Sequence, residues 1–346
     1  MHAISISIRR ECRICLQRQL TFGGGVSPRF TRLRGQSIIE YVLIAAIIGL
    51  VVVFAGPQVS GAIRNQFSQV TNTVDSGTDG DSFLSAEEKA YRETVKSITS
   101  KDAKDWTLDE QKAAATDIAK NGTSSPIYAK AKAAMDAGTR WSIKLTDAKI
   151  MQYRIIGINH DDVADGSGKA GLTFLLTSMN IITGSFNSKL DNSGGWERSE
   201  LREKMNSGEI WNLMPTDFQT KVKSVKKLTN NVGGGSANKD AAVTMTSDKL
   251  FLLSYSEIVN TLRSDWADFS WIGSEGTQYE AFKDKVTSGN SSNSSIANGY
   301  SAKWWERTVY PVDIYRVLAV SSKGDPSDFV WVNTAMPPSI CPAWCF

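Results

Sequence analysis

Histidine and cysteine are scarce in this chain of 346 residues, with two of the first and four of the second. His2 and His160 stand far apart. Cys12 and Cys15 form a C-x-x-C pair near the start, while Cys341 and Cys345 lie in the last six residues at a spacing that does not suit a zinc knuckle. Incidental cysteines are the plainer account of the first pair. Catalytic signatures are missing as well. His160 beside Asp161 and Asp162 invites a general-base reading, but no G-x-S-x-G element supplies a nucleophile. Gly233-Gly234-Gly235-Ser236 lacks the G-K-[ST] ending of a phosphate loop and reads as a plain loop. The acidic run Asp161 to Gly168 fails as an EF-hand, because Val163 stands at the third position and Leu172 at the twelfth, where oxygen ligands are needed. A looser calcium site near Asp161–Asp165 and an ordinary acidic turn remain, the turn being the simpler. No catalytic, cofactor-binding or metal-ligating residue is assigned.

Negative charge is nearly absent from the first 35 residues, which hold seven arginines, no lysine and one acid, Glu11. That segment carries +6 of a chain total of +3, which leaves −3 for residues 36–346. The body is mildly acidic and has no general nucleic-acid footprint. No charge occurs from Tyr41 to Ile63, and Ile38 to Gly56 is almost all aliphatic. As a helix that stretch is roughly 28 Å long, close to the ~30 Å of a hydrocarbon core. Arg32 and Arg34 before it predict a single pass with the C-terminal bulk outside. The apolar run is too long for a cleaved secretory signal, and no small-x-small site stands at its end. A simple membrane anchor is the plain alternative, but Glu40 inside the run calls for a partner.

The run Arg34-Gly35-Gln36-Ser37-Ile38-Ile39-Glu40-Tyr41-Val42-Leu43-Ile44-Ala45 resembles the prepilin motif of type IV pilins, and more narrowly the Flp-type pilins of tight-adherence systems. The resemblance implies a prepilin peptidase cutting between Gly35 and Gln36, so that Cys12 and Cys15 leave with the leader. It implies that Glu40, with Tyr41 beside it, meets the free amine of a neighbouring pilin subunit. Pro57 falls where such helices often carry an interrupting proline. The match covers about 40 residues. Flp-type pilins are very short, and the size of this chain points to a minor or tip subunit or a pseudopilin.

Helical spacing continues through Val74, and Asp75 to Asp81 reads as a linker. Ser85 with Glu88, and Thr107 with Glu110, have capping-box spacing, which predicts helices near 86–99, 108–120 and 127–137. These form a spacer or a small helical subdomain over 75–139. From Arg140 the pattern turns mixed. Strands are predicted at Trp141–Leu145, Tyr153–Ile158, Lys249–Ser254, Tyr315–Val320 and Phe329–Asn333, the last two joined by a turn at Lys323–Pro326. Short helices are predicted at Trp196–Met205 and Thr216–Lys226.

Ten tryptophans include the adjacent pair Trp304-Trp305, followed by Glu306-Arg307. Neighbours on a strand face opposite ways, so one ring is expected in the core and the other outside. Trp305 and Arg307, two apart, then share a face suited to a glycan or a host-surface protein. Two structural tryptophans are the plainer account. Ile155 to Asp162, Asp165 to Gly171, Gly195-Trp196-Glu197-x-Ser199-x-Leu201-Arg202 and Trp304-Trp305-x-Arg307 together resemble an uncharacterised domain of gut-bacterial surface proteins, over roughly 140–346. The W-W-x-R element and the tail from Pro337 also resemble C-type-lectin-like folds. Neither likeness carries a reaction. With Pro342 favouring a turn between them, Cys341 and Cys345 are expected to form a disulfide outside the cell.

The expectation is an α+β protein in four parts: a leader (1–35), a hydrophobic assembly or transmembrane helix (36–74), a linker and helical spacer (75–139) and a mixed α/β extracytoplasmic domain (140–346). Its function is expected to be a pilin-like surface subunit that displays a recognition or adhesion domain, in the membrane first and then at the cell surface or in a pilus. The rival is a membrane-tethered extracytoplasmic enzyme.

Overall fold

Ser85 and Thr107 open helices as their spacing predicts. Ser85 Oγ accepts from the Glu88 amide at the start of α1 (Ala86–Ser100), and Thr107 makes a reciprocal capping box with Glu110 at the start of α2 (Leu108–Asn121). Lys101, beside Glu110, forms an ion pair with it. The third helix, α3 (Tyr128–Asp136), completes the group, and all three end within a residue or two of the expected limits. This is a computed structural model that describes residues 84–288, 296 and 302–346. The leader, Gly35, Gln36, Glu40, Tyr41 and the expected apolar helix lie outside the described residues. Among the described residues no helix is long and apolar enough to cross a membrane.

The protein is mixed α/β, with helices packed on antiparallel sheets. One sheet runs in the order β1 (Arg140–Lys144), β2 (Ile150–Ile158), β3 (Leu172–Leu176) and β9 (Ala343–Cys345), so the last residues of the chain pair beside its first described strands. Its register places Trp141 opposite Tyr153 and Phe174 opposite Trp344. These rings form a continuous aromatic core: Tyr153 to Trp344 is 5.0 Å, Phe174 to Trp344 5.8 Å and Trp344 to Phe218 5.1 Å between centroids. Offset and edge contacts of this kind add about 0.5–1.5 kcal/mol each beyond burial.

The helices belong to that same core, so the expected boundary at 139/140 does not divide the structure. Trp106 stacks on Trp141 at 6.5 Å, and Tyr153 donates to Gln111 at 3.1 Å. Where α2 crosses the sheet, a Cβ on Gly171 would stand 1.8 Å from the Ala115 carbonyl oxygen. Only glycine permits that approach.

Short helices α4 (Glu200–Asn206), α5 (Glu209–Leu213) and α6 (Thr216–Gln219) follow. The helix expected over Thr216–Lys226 is cut short, because Val225 already begins β4 (Val225–Asn230), which pairs with β5 (Val243–Asp248). Lys249–Ser254 is not a strand; it contributes a single bridge, Phe251 to Ala343, ahead of α7 (Tyr255–Ile258). A three-stranded antiparallel sheet closes the architecture: β6 (Trp304–Val309), β7 (Arg316–Val320) and β8 (Asp328–Trp331).

Candidate functional site

Every residue of β6 is buried, so the expected division into a core face and an exposed face fails there. Trp304 and Trp305 both point inward. The Trp305 indole donates to the Gly184 carbonyl at 2.8 Å, and its ring meets Phe186 at 5.9 Å. Arg307 has no solvent exposure. Trp305 and Arg307 therefore form no surface for a ligand. The reason is coverage by other segments: the Arg307 amide bonds to Leu253 and the Thr308 hydroxyl accepts from the Tyr255 amide, at 2.9 and 2.8 Å, while the Arg307 guanidinium reaches Thr229 at 3.0 Å.

Arg307 instead anchors a buried chain of alternating charges. Its guanidinium grips both oxygens of Glu257, and its other N–H groups reach Thr229 and the carbonyls of Leu252, Leu228 and Glu275. Glu257 also accepts from Lys227 at 3.0 Å, and Lys227 pairs with Asp161. Tyr279 accepts from Lys227 at 2.8 Å and donates to Asp161 at 3.0 Å. Burial alone would raise both carboxyls, but Lys227 holds Asp161 low and Arg307 with Lys227 holds Glu257 low. The four charges balance, and the donors of the guanidinium are satisfied, which is the condition for a buried ionic group to be tolerated.

The acidic run is thereby split. Asp161 turns inward, Asp162 pairs with Lys169 at 3.0 Å, and Asp165 accepts from the Ser167 amide at 2.8 Å as an ordinary turn. Among the described residues no His, Cys, Asp and Glu side chains group as a metal site. His160 stacks on Tyr279 at 4.0 Å and pairs with Glu280 at 3.2 Å, so it braces the edge of the network. Burial lowers its pKa, yet Glu280 and Asp161 outweigh that and raise it.

The expected disulfide is absent: Cys341 and Cys345 are free thiols. Pro342 does not turn the chain. The segment runs extended, with the Pro342 carbonyl bonded to Leu176 and Ala343 bonded to Phe251. Four residues of extended chain span about 13 Å, too far for the ~4.4–6.8 Å between bridged Cα atoms. Cys345 lies against Asp161 and Thr173, and Cys341 against Met179.

The exposed chemistry is on the neighbouring strands. Arg316 on β7 pairs with Trp331 on β8, and Leu318 with Phe329. The Arg316 guanidinium lies 4.2 Å from the Phe329 ring, 4.4 Å from Tyr310 and 5.7 Å from Trp331. Tyr310 meets Phe329 at 4.5 Å, and Tyr315 meets Trp331 at 6.1 Å. Trp331 is 50% exposed, Tyr315 42% and Phe329 37%. Val312 and Ile314, on the turn before β7, are exposed beside them. A contiguous aromatic row of this kind on a surface marks an interaction site more often than an isolated apolar residue does.

The row is held rigid from below. Buried Asn192 donates to the carbonyls of Asp313 and Arg316 at 3.0 and 2.8 Å, and its backbone amide donates to Ile314 at 2.7 Å. Its side-chain oxygen accepts from Gly234 at 3.0 Å. The glycine loop thus packs under the turn: a Cβ on Gly234 would stand 2.1 Å from the Tyr310 carbonyl oxygen and 2.2 Å from that of Asp313. Elsewhere, a cleft of about 250 Å³ beside α7 is lined by Tyr255, Ser256, Asn260, Thr277 and Gln278 among others, with no carboxylate or thiol on its wall.

A family model for a domain of unknown function, DUF6273, matches residues 171–343. The chain belongs to this family. Comparison with curated proteins and with solved structures gives no match. The DUF6273 segment contains Lys227, Glu257 and Arg307 of the charged core, together with the whole aromatic row and the Asn192 clamp. It leaves out α1 to α3, β1, β2 and Asp161, although these share its core. Sequence reasoning reached the β7–β8 hairpin but missed the row on it. The row depends on the register that sets Arg316 opposite Trp331, and a turn centred on Lys323–Pro326 would set residue 316 opposite 333 instead.

Proposed function

We propose that this chain is a pilin-like surface subunit whose mixed α/β domain is displayed outside the membrane for non-enzymatic recognition, with the row Tyr310, Tyr315, Arg316, Phe329 and Trp331 as its contact face. The observation that carries the reading is that row: half-exposed rings, locked around an arginine, on a turn clamped by a buried asparagine. Rings fixed before contact lose little conformational freedom on binding, which favours affinity. The charged network of Asp161, Lys227, Glu257 and Arg307 is sealed in the interior, out of reach of a substrate, which supports a structural role for it.

The N-terminal half of the proposal rests on the sequence. A prepilin peptidase removes residues 1–35, and Glu40 of the mature chain pairs with the amine of a neighbouring pilin subunit while the helix that follows leaves the membrane for the fibre. The faint likeness to lectin-like folds agrees with recognition. Intact-mass measurement on membranes and on sheared surface filaments tests this. The expected species begins at Gln36 and appears in the filaments; a chain retaining residues 1–35, or one confined to the membrane, sinks the pilin assignment. Turnover of a substrate by the purified chain would return the tethered enzyme to first place.

A further inference from the structure

We infer that the aromatic row takes an uncharged polysaccharide, lying along the face as an internal stretch of chain, with its sugar rings stacked on Trp331 and Tyr315 at one end and on Phe329, backed by Tyr310, at the other. This rests on the row being the contact surface, and it narrows the partner to one chemistry.

Charge is the first ground. Arg316, the cation at the centre of the row, is already matched by Asp313, whose Oδ2 accepts from its Nε at 2.6 Å. Beside β8, Lys303 is matched by Asp328 at 2.7 Å. With these cations neutralised in place, the row has no free positive charge to offer a phosphate, sulfate or carboxylate. The body of the chain is net negative as well, so a polyanion meets repulsion on approach.

Shape is the second. The row is a face and not a pocket, running across the end of a three-stranded sheet from Tyr310 through Arg316 to Trp331. A face of this form suits the middle of a chain better than the end of one or a free small molecule, which are enclosed in concave sites. Aromatic rings present broad apolar faces, and these match the C–H faces of hexose or N-acetylhexosamine rings. The polar edges of such rings stay in water or meet the hydroxyls of Tyr310 and Tyr315.

Rigidity is the third. Carbohydrate gives little binding energy per ring, so a face that must order itself on contact would bind poorly. Here Arg316 packs against Tyr310 and Phe329, which also touch each other, and Asn192 fixes the turn beneath them.

Affinity electrophoresis and pull-down of the full chain in mild detergent test the inference, with neutral soluble glucan, mannan and galactan and insoluble chitin as probes, and with heparin and a sialylated glycan as charged probes. At least one neutral polysaccharide should retard the chain, equally at low and high salt. Trp331→Ala and Tyr315→Ala should each weaken that retardation about tenfold or more, with the melting temperature held near that of the parent chain. Trp331→Phe should keep part of it. Retardation by none of the neutral probes overturns the inference. Binding that follows heparin and fades with salt also overturns it, while leaving the row as a contact face. Capture of a host protein that is lost in Trp331→Ala would replace the glycan by a protein partner. Binding of any kind that survives both alanine variants removes the row itself, and with it the proposed contact surface.

Discussion

The guanidinium of Arg307 holds both carboxylate oxygens of Glu257, at 2.5 and 3.0 Å, and neither side chain reaches solvent. Removing one partner strands the other as a buried uncompensated charge, which costs about 3–5 kcal/mol. Arg307→Ala should therefore lower the melting transition sharply or prevent folding, as circular dichroism of the full chain in detergent would report. Trp331→Ala should leave the same transition almost unmoved. A stable Arg307→Ala chain with impaired binding would restore that residue to the surface.

Asn192 is predicted to act through the turn it clamps. Asn192→Ala takes the side-chain partner from the Asp313 carbonyl and the Gly234 amide, while the Arg316 carbonyl keeps the Tyr310 amide. Each buried group left unpaired costs about 1–3 kcal/mol. Hydrogen exchange should quicken at Gly234 and across 312–316 while α2 and β3 stay protected. Uniform quickening would mean that the clamp is global and not local.

Gly234→Ala should destabilise the chain by about 2–3 kcal/mol, since its methyl group meets two backbone oxygens that are part of the same turn. Gly273→Ala is the control, because a Cβ there meets nothing within 4 Å. Equal melting temperatures for the two variants would contradict the packing described.

The pH profile follows from two kinds of buried carboxyl. Glu306 has no solvent exposure, and neither of its oxygens has a hydrogen-bond partner among the described residues. Burial, with the fields of Glu275 and Asp325 behind it, raises its pKa well above the usual value. Glu275 is pushed up to about 7, by burial first, against the pull of Arg307. A raised acid contributes stability that is fully present below its unfolded pKa of about 4.3 and is lost as pH rises through the folded value. Asp161 and Glu257, both held low, contribute in the opposite sense: their share is present above about pH 4 and lost on acidification. Stability should thus be greatest in mildly acid solution. Glu306→Gln should flatten the decline on the alkaline side. An unchanged slope in melting temperature between about pH 5 and 8 would show that Glu306 is not the group responsible.

Both C-terminal thiols should be countable. Burial raises the pKa of Cys341 and of Cys345 and keeps them from reagent. In a chain lacking residues 1–35, unreduced and denatured, maleimide should add twice; native chain should react slowly. A mass two hydrogens lighter with no addition would mean that the disulfide forms after all.

Local signals carried the helices and the hairpin. Thr107 and Glu110 stand at capping-box spacing, and the box forms with both of its bonds. Tyr315 to Val320, the turn and Phe329 onward made a hairpin legible, because turn residues between two apolar runs mark one locally, while the loop 321–327 is too long to fix its register. The strands β3, β4 and β9 were less legible for a different reason. Each owes its form to a partner far away in sequence: β3 to β2 and β9, β4 to β5, and β9 to Thr173–Leu175.

The sequence by itself determined where the capped helices α1 and α2 begin, where the chain is apolar enough to suit a bilayer, and that two strands near 315–320 and 329–333 join across a turn. These depend on hydrogen bonds, periodicity and charge within a few residues or turns. Tertiary structure decided which arginine faces water. Arg307 and Arg316 each stand on a strand near a tryptophan, and their local sequences do not separate them. Leu253 and Thr229 cover the first, and a complete set of buried acceptors satisfies it. The second lies at the end of an edge hairpin with rings on its sides and solvent above. Burial is a property of what packs across from a residue, and those partners lie tens to more than a hundred residues away in the chain.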